Sequence, residues 1–253
     1  MTTETVPILS AYLLVKNFGQ VRALRHASFE AFPGEVTALV GDNGAGKSTL
    51  IKILSGVLAP DAGEVRIEGA TVRLADPHDA KRRGIETVYQ DLALAPDLDA
   101  AANVFLGREV RRLRVLHNHP EMRRRTAAAF ADLGVGLVQD MRAPVAAFSG
   151  GQKQSVAIAR AAMWADKVII MDEPTAALGV IQTAKVLELV NRIRDRGIAV
   201  VYISHNLPEV LQVADRIEVM RLGARVGRFR RGEVDLDRLI ATISGAFTNE
   251  VAA

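Results

Sequence analysis

The feature that most constrains the fold of this chain is a glycine-rich segment, residues 41–48 (GDNGAGKS). It fits the pattern G-x-x-x-x-G-K-[ST], in which glycines let successive backbone N–H groups face a single anion. Residues 35–41 (EVTALVG) have the apolar character of a short buried strand, and residues 47–58 carry apolar side chains at helical spacing. A strand, a glycine-rich turn and a helix in this order predict a phosphate-binding loop in an α/β fold.

The predicted loop also supplies side chains that suit a nucleotide. The Lys47 ammonium can reach the β- and γ-phosphates, and the Ser48 hydroxyl can ligate Mg²⁺. The helix that begins at Lys47 adds the positive end of its dipole. We therefore expect a nucleoside triphosphate to contact Gly41, Asp42, Asn43, Gly44, Ala45, Gly46, Lys47, Ser48 and Thr49.

A second motif places two carboxylates directly after an apolar run, residues 168–171 (VIIM). Such a run is typical of a central strand covered on both faces, which puts Asp172 and Glu173 at its carboxyl end. Asp172 would hold Mg²⁺ through water, and Glu173 would orient or deprotonate the attacking water. The alternative is a helix N-cap ahead of Pro174. The sequence has no [NT]-K-x-D motif for guanine, which counts against a GTPase.

Strand and helix patterns alternate along most of the chain. Residues 64–68, 198–204 and 216–221 have strand patterns, and residues 184–196 have the spacing of a helix that ends at Gly197. This alternation predicts an α/β domain with a largely parallel sheet.

Residues 91–147 differ, because they are rich in alanine and arginine and have few β-branched runs. We expect a helical insertion there. Seven arginines fall within it, at Arg108, Arg111, Arg112, Arg114, Arg123, Arg124 and Arg125. The favoured interpretation is a solvated helical face. A nucleic-acid contact is less favoured, because no aromatic residues interleave with the charges, and a membrane-proximal or partner surface is the remaining alternative.

The composition excludes several classes of protein. The absence of cysteine excludes a disulfide scaffold, thiolate zinc sites, iron–sulfur clusters and cysteine nucleophiles. The 32 basic and 29 acidic residues leave a net charge of +3, which is weak support for a nucleic-acid binder. No window reaches about 18 apolar residues, so we expect neither a membrane-spanning helix nor a signal peptide.

Residues 148–152 (FSGGQ) resemble the signature sequence of the ATP-binding cassette ATPases, which normally reads LSGGQ. The other motifs of that family are matched by Phe18 for the aromatic that stacks on adenine, Gln90 for the Q-loop, Asp172 and Glu173 for the Walker B pair, and His205 for the switch histidine that senses the γ-phosphate. The resemblance extends over residues 8–243.

The resemblance implies a P-loop NTPase (RecA-like) core with a largely parallel sheet, an antiparallel β edge and a helical insertion subdomain. The ATPase domain would span residues 8–248, with its core at 8–90 and 155–248 and the helical subdomain at 91–154. ATP and Mg²⁺ would be the cofactors. The metal contacts would come from Ser48, Gln90 and Asp172, and the catalytic groups would be Lys47, Gln90, Glu173 and His205.

The resemblance also implies a dimer. A second anion site, at a helix start that faces the phosphate loop of the opposite subunit, would be formed by Ser149, Gly150, Gly151 and Gln152. With one cassette per chain, a homodimer is the simplest way to close both sites. Gly179 departs from the family pattern, because most cassettes have an aspartate there that communicates across the dimer.

Residues 88–94 (VYQDLAL) and 103–109 (NVFLGRE) look like the same segments of monosaccharide-import cassettes, including the single-cassette fructose type. Such a chain would be the ATP-hydrolysing motor of a sugar importer, peripheral on the cytoplasmic face of the inner membrane. Its partners would be a transmembrane permease and, indirectly, a substrate-binding protein, with no nucleic acid. The alternatives are a soluble cassette ATPase that acts on nucleic acid or ribosomes, and a regulatory module with vestigial hydrolysis.

Overall fold

The computed structural model describes residues 6–112, 116–135 and 141–247. Its strands are β1 (Leu9–Phe18), β2 (Val21–Ala31), β3 (Val36–Val40), β4 (Ala62–Ile67), β5 (Ala70–Val72), β6 (Ile85–Val88), β7 (Arg111–Arg112), β8 (Leu116–His117), β9 (Val168–Asp172), β10 (Ala199–Ile203), β11 (Arg216–Arg221) and β12 (Ala224–Arg230). Its helices are α1 (Lys47–Leu54), α2 (Pro77–Arg82), α3 (Ala100–Val104), α4 (His119–Asp132), α5 (Gly150–Trp164), α6 (Val180–Asp195), α7 (Leu207–Val213) and α8 (Leu236–Ser244), with a 3₁₀ turn at Val145–Ala147.

A six-stranded sheet in the order β12-β11-β3-β10-β9-β6 forms the centre of the molecule. Its strands are parallel except for β12, which pairs with β11 in the antiparallel direction. Every residue of β3 and β10 is buried, which accounts for their continuous apolar sequences, since both faces of the sheet are covered. The predicted α/β fold with a largely parallel sheet is confirmed.

The two faces of this sheet belong to two different parts of the core. Successive residues of a strand point to opposite faces, so Ala38 packs into the cluster formed with α5, α6 and α7. Leu39, the next residue, packs into the cluster formed with α1 and a second sheet. That second sheet is antiparallel, has the order β2-β1-β4-β5, and supplies the expected antiparallel β edge.

Strands β1 and β2 are the longest in the described chain, yet the sequence patterns do not predict them. Their pairing shifts register at several points, and Leu13 and His26 have positive φ angles of 48° and 58°. Such bulges interrupt the alternation of apolar and polar residues by which a strand is recognised in a sequence.

Two predicted helices have different bounds in the structure. Helix α1 ends at Leu54 rather than at residue 58, because Gly56 turns away with φ 76° and passes close to the backbone of Asp76. Helix α6 begins at Val180 rather than at residue 184. Its first turn exposes Val180 and Ile181 to solvent, so those apolar residues do not follow the buried helical stripe.

The expected helical insertion contains α3, α4 and the start of α5, together with the short hairpin β7–β8. Its apolar residues, such as Phe105 and Phe130, join the same buried cluster as Ala38 of the central sheet. The division at residue 154 falls inside α5, so this helix is shared by the core and the insertion. The domain bounds of 8–248 stay a prediction, and residue 248 lies outside the described residues.

The expectation of one solvated helical face for the seven arginines is wrong for Arg108, Arg111 and Arg112. Arg108 follows α3 and is half-buried against Glu86, while Arg111 and Arg112 lie on β7. Only three of them lie on α4, where they pair with acidic side chains: Arg123 with Asp99, and Arg124 and Arg125 with Glu121. Arg114 lies outside the described residues.

Within the described ranges, no helix combines the length and the apolar character that crossing a bilayer requires.

Candidate active site

The predicted functional residues meet at the end of the central sheet where its parallel strands finish. Gly41 follows β3, Gln90 comes shortly after β6, and Asp172 is the last residue of β9. The carboxyl ends of parallel strands lie on one edge of a sheet, which is where ligands of α/β proteins bind. An open cleft of about 710 Å³ occupies this edge. Its lining consists of Gly41, Asp42, Asn43, Lys47, Ser48, Gln90, Asp172, Glu173, Ile203, Ser204, His205, Leu207, Ile240, Ile243 and Ser244.

Two glycines of the loop are fixed by their surroundings. Gly41 has φ 149°, and a Cβ atom there would lie 2.2 Å from the carbonyl oxygen of Met220. Gly46 has φ 101°, and its Cβ atom would lie 2.7 Å from the carbonyl oxygen of Ala23. Side chains at either position would collide with backbone, so the loop keeps its curvature only with glycine.

The start of α1 is open to an anion. Its N-cap is Gly46, in the left-handed conformation, and no side chain caps the helix. The first N–H groups of a helix have no acceptor within it, and they carry the positive end of the dipole. A phosphate group fits this arrangement of backbone donors.

Lys47 lies inside the curve of the loop. Its ammonium donates hydrogen bonds to the carbonyl oxygens of Gly41 and Asp42, at 2.6 and 3.0 Å. Burial lowers the pKa of Lys47, while the carboxylates of Glu173, Asp42 and Asp172 act in the opposite direction.

The surroundings of Asp172 disfavour the charged form of its carboxyl group. Burial raises the pKa of this carboxyl group, and the neighbouring charge of Glu173 raises it further, while Lys47 and Lys52 lower it. A divalent cation would offset both of the unfavourable effects. Ser48 and Gln90 line the same cleft and supply oxygen atoms, which Mg²⁺ prefers as ligands. The donor set therefore fits Mg²⁺.

Glu173 and His205 form a pair across the cleft, with Nδ1 of His205 in contact with Oε2 of Glu173. The side chain of Glu173 is 20% exposed and that of His205 is 69% exposed. The backbone of Glu173 is left-handed, with φ 52°, and its N–H donates to the carbonyl oxygen of Ile203 at 2.9 Å. The strands β9 and β10 thus hold the two side chains together.

A second groove, of about 290 Å³, adjoins the phosphate loop at the start of β2. It is lined by Val21, Arg22, Ala23, Asn43, Gly44, Ala45, Gly46, Lys47, Ser48 and Thr49. Phe18 is paired with Val21 in the β1–β2 hairpin and is 48% exposed, with the Lys16 ammonium 5.8 Å from its ring centroid. Val21 lines this groove but Phe18 does not, so adenine stacking by Phe18 stays a prediction.

The predicted residues 149–152 lie apart from the others. Ser149 is the N-cap of α5, and its hydroxyl accepts the N–H of Gln152 at 3.3 Å. The side chain of Gln152 accepts the N–H of Ser149 at 2.8 Å, which completes a capping box. Neither of the two cavities described above is lined by Ser149, Gly150, Gly151 or Gln152. The chain thus brings the cleft residues together and leaves this helix start facing outward.

The sequence patterns do not single out Glu209, which connects the two strand ends that carry Glu173 and His205. Its carboxylate accepts hydrogen bonds from Thr175 at 2.6 Å, from Tyr202 at 3.1 Å and from Asn206 at 2.7 Å. Thr175 comes shortly after Glu173, and Asn206 directly follows His205. In the sequence, Asn206 and Glu209 have the N-cap and third-position spacing of a capping pattern, which is the one local pattern that marks Glu209.

Comparison with known proteins gives concordant results. The ABC transporter family pattern matches residues 24–176. The chain is 46% identical to the fructose import ATP-binding protein of Rhizobium meliloti, over 95% of each sequence. It is 45% identical to the xylose/arabinose import ATP-binding protein of Sulfolobus acidocaldarius, over 88% of each.

The structure is similar to that of an ATP-binding cassette of an ABC transporter in its ADP conformation. The TM-score is 0.81 at 28% identity, over 95% of this chain and 96% of that one. A dimeric structure of a bacterial ABC transporter cassette matches with a TM-score of 0.74 at 25% identity, over 88% of this chain and 98% of that one.

Proposed function

Because this chain belongs to the ABC transporter family, we propose that it is the ATP-hydrolysing motor subunit of an importer that moves a sugar through a separate membrane permease. The observation that carries the chemistry is the contact between Glu173 and His205 across a cleft whose opposite wall is the phosphate loop. The names of the two import proteins support sugar as the transported class.

The phosphate loop positions ATP. The open amides of α1 and the Lys47 ammonium bind the β- and γ-phosphates, with glycines at 41 and 46 letting the backbone approach closely. Ser48, Gln90 and Asp172 would hold Mg²⁺, which neutralises charge on the phosphate oxygens.

Glu173 then acts on water. Its carboxylate orients a water molecule in line with the γ-phosphorus and accepts the proton as the new P–O bond forms and ADP leaves. His205 stabilises that carboxylate through its Nδ1 contact and, being largely exposed, also reaches toward the γ-phosphate. Lys47, Glu173 and His205 in one cleft favour active hydrolysis over a vestigial regulatory module.

The assembly proposed for this chain has three further parts. Two copies close the ATP sites as a homodimer, with Ser149, Gly150, Gly151 and Gln152 of one copy facing the phosphate loop of the other. The dimer sits on the cytoplasmic face of the membrane against its permease, and a substrate-binding protein delivers the sugar. The dimeric structure of a similar cassette supports the first part.

The test combines chemistry and transport. The purified chain should release phosphate from ATP with Mg²⁺, and cells in which Glu173→Gln replaces the native protein should lose uptake of one labelled sugar among fructose, ribose and xylose. The Arg231→Gln variant, altered outside the cleft, should retain both activities. Uptake that is unchanged for all three sugars would contradict the sugar-import part, and absence of phosphate release would contradict the ATPase part.

A further inference from the structure

Arg160 of α5 joins the segment after Gln90 to the helix that begins behind Ser149. Its Nη1 donates to the carbonyl oxygen of Ala93 and its Nη2 to that of Leu92, both at 2.9 Å. One planar guanidinium therefore binds two consecutive peptide carbonyls, a geometry that lysine cannot reproduce.

The backbone at this point is held in an unfavourable conformation. Ala93 has φ 47°, in the left-handed region that alanine rarely adopts. Such a conformation persists only where surrounding contacts determine it. The two bonds from Arg160 are contacts of this kind, and they lie within three residues of Gln90, which lines the cleft.

The same segment is also bonded to the residues in front of α5. Val145 donates its N–H to the carbonyl oxygen of Leu98 at 2.9 Å, and Ala146 donates to that of Pro96 at 2.8 Å. The segment from residue 92 to residue 98 is thus attached on both sides of Ser149. A displacement of residues 92–98, which come shortly after Gln90, must therefore move α5 and the residues in front of it or break these bonds.

Charged and aromatic groups reinforce this junction. The buried Glu86 of β6 pairs with Arg108 at 2.7 Å, and the Arg108 guanidinium lies 4.9 Å from the ring centroid of Trp164 on α5. Burial lowers the pKa of Arg160, and the charge of Glu86 opposes that effect. The guanidinium stays charged, and both of its carbonyl bonds are charge-assisted.

We propose that Arg160 is a positioning residue that links the ATP bound in its own cleft, through the Gln90 loop, to Ser149 and so to the ATP held by the second copy. The proposal rests on the proposed function, since it needs two ATP sites shared between two copies. The link would connect the two ATP sites of the dimer through contacts within each subunit. In this chain Gly179 replaces the aspartate expected to communicate across the interface.

A double-mutant cycle tests the first half of this path. Arg160→Gln should lower kcat roughly tenfold or more, because misplacing a group near the chemistry costs up to about 10²-fold, while the ATP Kd of the chain stays unchanged. In a Gln90→Ala chain the same substitution should have little further effect, since the loop then carries no side chain to position. Arg160→Lys keeps the positive charge but not the two parallel hydrogen bonds of the guanidinium, so its kcat should lie between those of the native and Arg160→Gln chains.

The second half is tested by dimerisation in the Glu173→Gln background. Adding Arg160→Gln should raise the ATP concentration for half-maximal dimer formation roughly tenfold. The matched control is Arg231→Gln, because Arg231 also donates two 2.9 Å bonds to consecutive carbonyls, those of Val213 and Ala214, which do not line the cleft. It should leave both measurements unchanged.

The outcomes separate the two proposals. If the effects of Gln90→Ala and Arg160→Gln on kcat multiply in the double variant, the link would be overturned. An Arg160→Gln chain that behaves like the Arg231→Gln chain would overturn it as well. If Arg160→Gln does not fold, the soluble Arg160→Lys chain takes its place in the same cycle. If the native chain does not hydrolyse ATP and the Glu173→Gln variant does not dimerise, the proposed function would be overturned, and the link with it.

Discussion

Two helix starts in this molecule are finished in opposite ways. At α1 the N-cap is Gly46 and no side chain satisfies the first amides. At α5, Ser149 and Gln152 bond to each other's backbone N–H groups in a closed capping box. The first amides of α1 are therefore left to solvent or an anion, while at α5 the side chains satisfy two N–H groups, those of Ser149 and Gln152. The α1 start thus leaves its first donors to an incoming anion, whereas the α5 start keeps two of its donors bonded within the free chain.

The largest expected effect is on ATP hydrolysis in the cleft at the start of α1. Glu173→Gln should reduce phosphate release by about 10²–10⁴-fold, since that is the usual worth of a general base, and should leave ATP binding intact. The measurements are steady-state phosphate release and the ATP Kd. Turnover close to that of the native chain would remove Glu173 from this role.

The next effect separates the two helix starts. The Glu173→Gln chain should form a dimer with ATP and Mg²⁺ but not with ADP, because only the γ-phosphate gives ATP a differential affinity for the closed state. Adding Ser149→Arg should abolish that dimer by steric conflict and leave the ATP Kd of the monomer nearly unchanged. Size-exclusion chromatography with light scattering measures both, and a dimer that forms without ATP or survives Ser149→Arg contradicts facing sites.

Phe18→Ala should weaken ATP binding to the cleft at the start of α1 and should not affect the start of α5. Stacking of an aromatic ring on a base contributes about 1–3 kcal/mol, so the ATP Kd should rise several-fold or more. The control is Tyr12→Ala, because Tyr12 lies on the same strand and is 47% exposed, close to the 48% of Phe18. An unchanged Kd for Phe18→Ala with a raised Kd for Tyr12→Ala would reverse the assignment.

Ser149→Ala should change the stability of the chain but not its nucleotide binding, which separates the start of α5 from the start of α1. Losing a serine N-cap typically costs about 1 kcal/mol of the free energy of unfolding, and the ligand-free chain should show this loss in denaturant unfolding. The ATP Kd of the monomer should not change, because α5 does not line the cleft. A variant as stable as the native chain would mean that the capping box contributes nothing.

The smallest expected effect concerns Gly179, the uncapped N-cap of α6. Gly179→Asp should stabilise the chain by about a few tenths of a kcal/mol, since aspartate caps better than glycine. A new Cβ atom would meet only the side-chain oxygen of Gln182, at 3.0 Å, and that end can move. Gly179→Ala is the control, and an alanine chain as stable as the aspartate chain would exclude capping as the cause.

The parts of this molecule that the sequence predicts are those with local patterns. The loop at residues 41–48, the carboxylates at the end of β9 and the parallel strands each carry a pattern over a few neighbouring residues. The bonds from Arg160 to Leu92 and Ala93, and those of Glu209 with Thr175 and Tyr202, could not be predicted, because no local pattern links a side chain to these main-chain carbonyls or hydroxyl groups. Strands β1 and β2 were missed for another reason, since their bulges break the alternation on which strand recognition relies.

The left-handed backbone of Glu173 has a consequence for how such a protein changes over generations. A non-glycine residue in this conformation costs about 1–3 kcal/mol, so glycine at position 173 would relieve that strain and, under the role proposed for Glu173, remove the carboxylate that acts on water. Substitutions that raise stability are easily found when function is not required. Under the role proposed for Glu173, a lineage released from transport would therefore be expected to lose this carboxylate early.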